Sequence, residues 1–134
     1  MKQKDRIGAT GENIAARFLM KQGYTIVERN YRRKCGEIDI LAKKDGFLMV
    51  CEVKSVSCGT FGWGNHETLA DFGPERRVNR KKLTRIRRTA ELFMWERNVS
   101  YETEIMFIVV CVYISLNSGL KSGKFKIRVI HETL

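Results

Sequence analysis

A chain of 134 residues, 43% hydrophobic and 30% charged, suits one compact domain with an ordinary core. Its 25 Lys and Arg outnumber 15 Asp and Glu, and the formal net charge of +10 points to a polyanionic partner, nucleic acid before an acidic membrane. The longest apolar run, Ile105 to Ile114, is too short to span a bilayer, and the N-terminus has no apolar stretch of signal-peptide length, so the expectation is a cytoplasmic protein with no membrane partner.

Residues 5–22 are predicted to form a helix, because Ile7, Gly11, Ile14, Ala15, Phe18 and Leu19 recur at the spacing of one helical face. Gly23 stands where a helix C-terminal glycine belongs. Gly8 and Gly11 lower helix propensity and suggest fraying or close packing near the start. Tyr24–Arg29 follows as a short strand, then a basic, turn-like stretch from Asn30 to Gly36. Glu37–Ala42 and Phe47–Lys54 are the next two strands. Asp45-Gly46 between them is a favoured hairpin pair, so these strands should be antiparallel neighbours.

Residues 55–73 read as a long Gly-rich loop, a length that is usually functional or disordered. Pro74, the single proline, opens a second helix that runs to about Arg97, with Leu83, Ile86, Ala90 and Phe93 as its buried stripe. Ile105–Ile114 is apolar throughout and so fits a central strand. Residues 117–123 turn the chain, and Lys124–Glu132 alternates as a last strand near an edge. No repeat or linker divides the chain, so residues 1–134 are expected to form one domain. Cys35, Cys51, Cys58 and Cys111 make no CxxC pair and read as small buried side chains rather than as disulfides or a zinc site.

The chemistry lies in the middle strands. Alternation places Glu37, Asp39 and Leu41 on one face, and Leu48, Val50, Glu52 and Lys54 on one face of the following strand. A hairpin pairing can therefore bring Asp39 beside Glu52. Strand interiors disfavour Asp, and buried charges are paired or bound to metal. Adjacent carboxylates repel, and a divalent cation removes that conflict. Two carboxylates, the main-chain carbonyl of Val53 and waters are ligands that suit Mg²⁺. The plainer explanation is an ion pair of Lys54 with Asp39 or Glu52 at a sheet edge.

Asp39, twelve intervening residues and Glu52-Val53-Lys54 resemble the PD-(D/E)xK nuclease core. Gly8-x-x-Gly11-Glu12-x-x-Ala15-x-x-x-Leu19, Gly23-Tyr24-x-Ile26, Arg29-Asn30-Tyr31-Arg32 and Gly36-Glu37-Ile38-Asp39-Ile40 extend the likeness, as do Phe72-Gly73-Pro74, Val78, Lys82 and Leu83. As a set these motifs, over roughly residues 6–95, resemble the YraN-like family. The resemblance implies an α/β, restriction-endonuclease-like fold, a central mixed sheet flanked by helices, in a layout similar to Holliday-junction resolvases. It implies Asp39 and Glu52 as ligands of Mg²⁺ or Mn²⁺, Lys54 as the catalytic lysine, and Glu12 as a further acidic ligand. Glu12 could equally serve the helix dipole. The sequence departs from the family's pattern at Ile108, where an aspartate often follows the aromatic, and at Ser55, where an arginine often follows the lysine.

Arg76, Arg77, Arg80, Lys81, Lys82, Arg85, Arg87 and Arg88 crowd the second helix without an acidic residue between 76 and 90. A solvated face usually mixes signs at i+4 spacing, so this density favours phosphate contact. Arg32 and Arg33 extend the basic patch. Phe61, Trp63 and His66 in the loop could stack on bases or fold over the core. The expectation is a metal-dependent endonuclease that hydrolyses DNA, before RNA, with branched or otherwise structured DNA among its substrates. The alternative is a nucleic-acid-binding protein that does not cleave. A homodimer would suit cutting both strands of a junction.

Overall fold

The computed structural model describes residues 3–58, 80–115 and 125–132. In chain order these form α1 (Gln3–Lys21), β1 (Thr25–Arg33), β2 (Gly36–Lys44), β3 (Phe47–Cys58), α2 (Arg80–Glu96), β4 (Glu104–Ser115) and β5 (Phe125–Glu132). The five strands make one sheet in the order β1-β2-β3-β4-β5. Strands β3 and β4 are parallel, and every other neighbouring pair is antiparallel. The parallel pair needs a crossover, and α2 lies within it.

The two helices cover opposite faces. Ala15, Ala16 and Leu19 of α1 pack on Ile40, Ala42, Met49, Cys51, Ile108, Val110 and Val112. Ile86, Ala90, Phe93 and Met94 of α2 pack on Tyr31, Ile38, Leu41, Leu48, Val50, Phe107 and Val109. Covering both faces explains why β4 is apolar at successive positions rather than alternating. Each large side chain so buried contributes about 1.5–3 kcal/mol of transfer free energy. Among the described residues no helix is long and apolar enough to cross a membrane.

Both helices end as their sequences suggest. The Tyr24 N–H donates to the Leu19 carbonyl and the Gly23 N–H to the Met20 carbonyl, the paired bonds of a Schellman cap, with Gly23 at φ +94°. Asn98 (φ +53°) closes α2 in the same way, through a bond from the Val99 N–H to the Met94 carbonyl. Asp45 and Gly46 both have positive φ, as the predicted two-residue hairpin turn requires.

Several boundaries differ from the sequence expectation. Asn30–Arg33 does not turn but continues β1, and the turn is confined to Lys34 and Cys35. Strand β3 runs on to Cys58, because parallel pairing with β4 continues to Cys58–Ser115 and supplies backbone partners for what read as loop. The start of the second helix at Pro74, the remainder of the 55–73 loop with Phe61, Trp63 and His66, the 117–123 turn, and Arg76 and Arg77 lie outside the described residues. Cys51 and Cys111 are buried, and Cys35 is partly buried.

Gly11 and Gly8 play different parts. A Cβ at Gly11 would fall 1.7 Å from Ser55 Oγ and 2.8 Å from Ser55 Cβ, whereas one at Gly8 meets nothing within 4 Å. Close packing of α1 on β3 therefore requires Gly11 alone. Gly11→Ala is expected to destabilise the fold by about 1–3 kcal/mol through overpacking. Gly8→Ala should stabilise it by up to about 1 kcal/mol through helix propensity. Urea unfolding of the two variants checks both, and equal effects would remove the packing argument.

Candidate metal centre and basic cleft

The site begins where the sheet forks. Antiparallel pairing of β2 with β3 stops at Ile40–Cys51. Beyond it, Asp39 replaces the ladder with its side chain: the Val53 N–H donates to Asp39 Oδ2 at 2.8 Å. On the other side of β2, pairing with β1 joins Arg29 to Ile40 and Tyr31 to Ile38, and Asn30, opposite Asp39, has φ +53°. Regular alternation accordingly breaks at Asp39. Ile38 and Leu41 face α2, while Ile40 and Ala42 face α1. Ile38 therefore does not share the face of Ile40 and Ala42 that alternation gives it, whereas Asp39 lines a cleft on the α2 side, the side of Leu41. A local irregularity turns Asp39 into the fork, a device alternation alone does not provide.

Glu52 reaches the same place from β3. Its Oε1 accepts a hydrogen bond from Lys82 of α2 at 2.7 Å, while its Oε2 is buried with no hydrogen-bond partner. The Asp39 carboxyl has its pKa pushed up to about 6. Burial is the largest cause, and the negative charges of Glu12, Glu52 and Glu37 add to it against the lowering effect of the Val53 N–H bond. The hairpin expected from the sequence brings the β2 and β3 charges together, and the fork sets how they meet.

A cleft of about 660 Å³ opens over the two carboxylates. Asp39, Glu52, Ile38, Val50, Ile86 and Phe107 contribute to its lining, and Arg32, Arg33, Lys81, Lys82 and Arg85 make that lining basic. Five of the residues expected to contact nucleic acid therefore surround two of the expected acidic ligands. Arg80 is exposed at the first described residue of α2 and does not line the cleft. The basic residues are not equivalent. Arg85 and Lys81 are exposed. Arg32 pairs loosely with Glu37 at 3.4 Å. Arg33 is held by Glu96 and lies 4.2 Å from the centre of the Tyr31 ring, while Tyr31 donates a hydrogen bond to Glu96. Nothing local in the sequence marks Glu96, whose partners lie in β1.

Lys54 follows Glu52 by two residues on β3, so alternation directs both toward the α2 face. Neither Lys54 nor Glu12 lines the cleft. Glu12 belongs to α1, on the other face of the sheet, and its carboxylate is 3.8 Å from Arg29, a partner that no sequence signal marks. Its charge still reaches Asp39.

The donor set can be tested against a hard divalent cation. A buried, unpartnered carboxylate oxygen on Glu52, a second carboxylate at Asp39 and the backbone of Val53 are all oxygen sources of the type Mg²⁺ prefers. Val53 directs its N–H into the fork, and the carbonyl of a strand residue points to the same side as its N–H. Among the described residues no three His, Cys, Asp or Glu form a group that could hold a metal ion. The set fits a cation that retains several waters, as Mg²⁺ does, better than one needing a full protein cage.

A five-stranded mixed sheet with a helix on each face, and acidic side chains at a fork between its middle strands, defines an α/β protein of restriction-endonuclease-like architecture. Comparison with known proteins gives the family. The chain belongs to the uncharacterised protein family UPF0102, whose model matches residues 11–112, and this is the YraN family that the sequence motifs resemble. A UPF0102 protein of Desulforapulum autotrophicum is 40% identical over 116 residues, 87% of each chain. One from Campylobacter jejuni is 38% identical over 103 residues, 77% of this chain and 81% of the relative. Another, from Dictyoglomus thermophilum, is 36% identical over 119 residues, 88% of this chain and 86% of the relative.

Proposed function

We propose that this protein is an endonuclease that hydrolyses phosphodiester bonds in DNA, branched or otherwise structured DNA included, with Mg²⁺ or Mn²⁺ as its metal. The observation that carries the reading is the cleft in which Asp39 and Glu52 lie among Arg32, Lys81, Lys82 and Arg85. A phosphate backbone drawn onto those cations is brought to the two carboxylates. Asp39, Glu52 and the Val53 carbonyl would hold the cation. When bound, it supplies a lowered pKa for a water and neutralises phosphate charge. Lys54 would orient the attacking water or bind the scissile phosphate. The water oxygen forms a bond to phosphorus and gives up a proton to solvent, the bond from phosphorus to the leaving sugar oxygen breaks, and that oxygen takes up a proton from solvent.

The contact of Lys82 with Glu52 favours a second reading, nucleic-acid binding without cleavage, because it gives the glutamate a partner without a metal. The two separate in one experiment. Wild type and Glu52→Gln are incubated with Mg²⁺ or Mn²⁺ and labelled single-stranded, duplex, flap and four-way-junction DNA. Cleavage by wild type that the variant lacks supports the nuclease. Binding of every substrate with no cleavage by either protein replaces it with the second reading.

The basic helix makes its own prediction. Lys81→Ala with Arg85→Ala is expected to weaken DNA binding across sequences and to lower the salt slope by about one unit per lost phosphate contact. Anisotropy titrations at several salt concentrations measure it. An unchanged slope would take these residues out of the interface.

A further inference from the structure

Lys82 differs from the other basic residues of α2. Arg80, Lys81, Arg85, Arg87 and Arg88 are exposed, whereas Lys82 is partly buried. Helix geometry gives the reason. Lys82 stands four residues before Ile86 and so lies beside the buried stripe of Ile86, Ala90 and Phe93. That position carries its ammonium to 2.7 Å from Glu52 Oε1, while Glu52 Oε2 stays buried and unpartnered.

One oxygen of Glu52 is thus occupied by an internal cation, and the other is held in a state that costs free energy. A divalent cation entering between Asp39 and Glu52 meets the Lys82 charge already on the same carboxylate, and the two positive charges repel. Lysine is a compact charge on a flexible four-carbon stem, so it can leave without moving the helix. The same cleft is the place where a phosphate would offer it a second anion. We infer that Lys82 is an internal counter-ion of the cation site, which keeps Glu52 from a divalent cation until a nucleic-acid phosphate draws the ammonium away. Cation and nucleic acid then bind cooperatively, and by linkage each raises the affinity of the other by the same factor. This role rests on the reading of Asp39 and Glu52 as a cation site. It makes Lys82 a positioning residue and a coupling element rather than a catalytic one.

The test is calorimetric titration of Mn²⁺ into the full chain without nucleic acid, and again with a short duplex whose linkages resist hydrolysis. Lys82→Gln is expected to bind Mn²⁺ roughly 5- to 20-fold more tightly than wild type in the absence of DNA. Lys82→Arg, which keeps the charge, should stay as weak as wild type. Adding the duplex should tighten Mn²⁺ binding by wild type and leave Lys82→Gln nearly unchanged. Circular dichroism checks folding, and Lys82→Met, which keeps the apolar stem, is the second variant. An affinity of Lys82→Gln and Lys82→Met no higher than wild type, or a wild-type affinity indifferent to DNA, overturns the inference. Asp39→Asn separates the two levels. Wild-type Mn²⁺ binding that Asp39→Asn abolishes, with no gain in Lys82→Gln, removes the role of Lys82 alone. No Mn²⁺ binding by wild type with or without DNA, or by Lys82→Gln, removes the cation site and the inference with it.

Discussion

Lys54→Ala is expected to slow DNA cleavage by about 10²–10³-fold while DNA binding is retained, a loss in the range seen when one group that stabilises developing charge is removed. The expectation rests on where β3 holds the side chain. Parallel pairing with β4 continues past Lys54 to Cys58, so the residue sits within a paired strand rather than on a loop. Lys54 stands two positions after Glu52, which lines the cleft, and directly after Val53, whose N–H fixes Asp39. In the proposed reaction Lys54 would act on charge that develops as the phosphodiester bond is attacked, reaching it from beside the cleft rather than from its lining. Lys54→Arg is not expected to restore the rate, because a planar guanidinium does not place its charge where a compact ammonium does. Single-turnover cleavage with binding measured alongside provides the check. Equal rates for wild type and Lys54→Ala would remove the lysine from the reaction. A loss confined to affinity would assign it to the binding surface instead.

Asp39→Asn is expected to make the metal-free protein more stable near neutral pH while abolishing stabilisation by Mg²⁺ or Mn²⁺. Burial and the neighbouring carboxylates raise the pKa of the Asp39 carboxyl from 3.8 to about 6 in the folded protein. The folded state consequently binds its proton more tightly than the unfolded chain does. Stability is unaffected below the unfolded value of 3.8, falls as pH rises toward about 6, and carries the full penalty above it. Each tenfold difference in proton affinity between the two states is worth about 1.4 kcal/mol, so with some discount for partial exposure asparagine should gain on the order of 1–3 kcal/mol at about pH 7 to 8. Its side-chain oxygen can still accept from Val53 N–H, so the fork should persist. Thermal unfolding from about pH 4 to 8, with and without Mn²⁺, reads both effects. Across that range wild type should lose stability relative to Asp39→Asn, and only wild type should respond to the metal. A variant less stable than wild type near neutral pH would mean that the carboxylate serves the fold rather than a ligand.

The helix faces, the Asp-Gly turn, the glycine ending α1 and the apolar run of β4 were readable from the sequence because each expresses a local rule of spacing or backbone conformation. The acidic pair and the lysine could be picked out for the same reason: charged residues in otherwise apolar strands stand out. The motifs also carried the family resemblance over most of the chain. Only the tertiary structure decided how Asp39 meets Glu52, since the break in alternation depends on β1 and β3 together and leaves no periodic trace. It also divided the basic residues: Arg33 went to Glu96, Lys82 to Glu52, and Lys81 and Arg85 to exposed positions in the lining of the cleft. Charge type is written in the sequence, but the partner of a charge is set by which elements the sheet brings within a few ångströms of it.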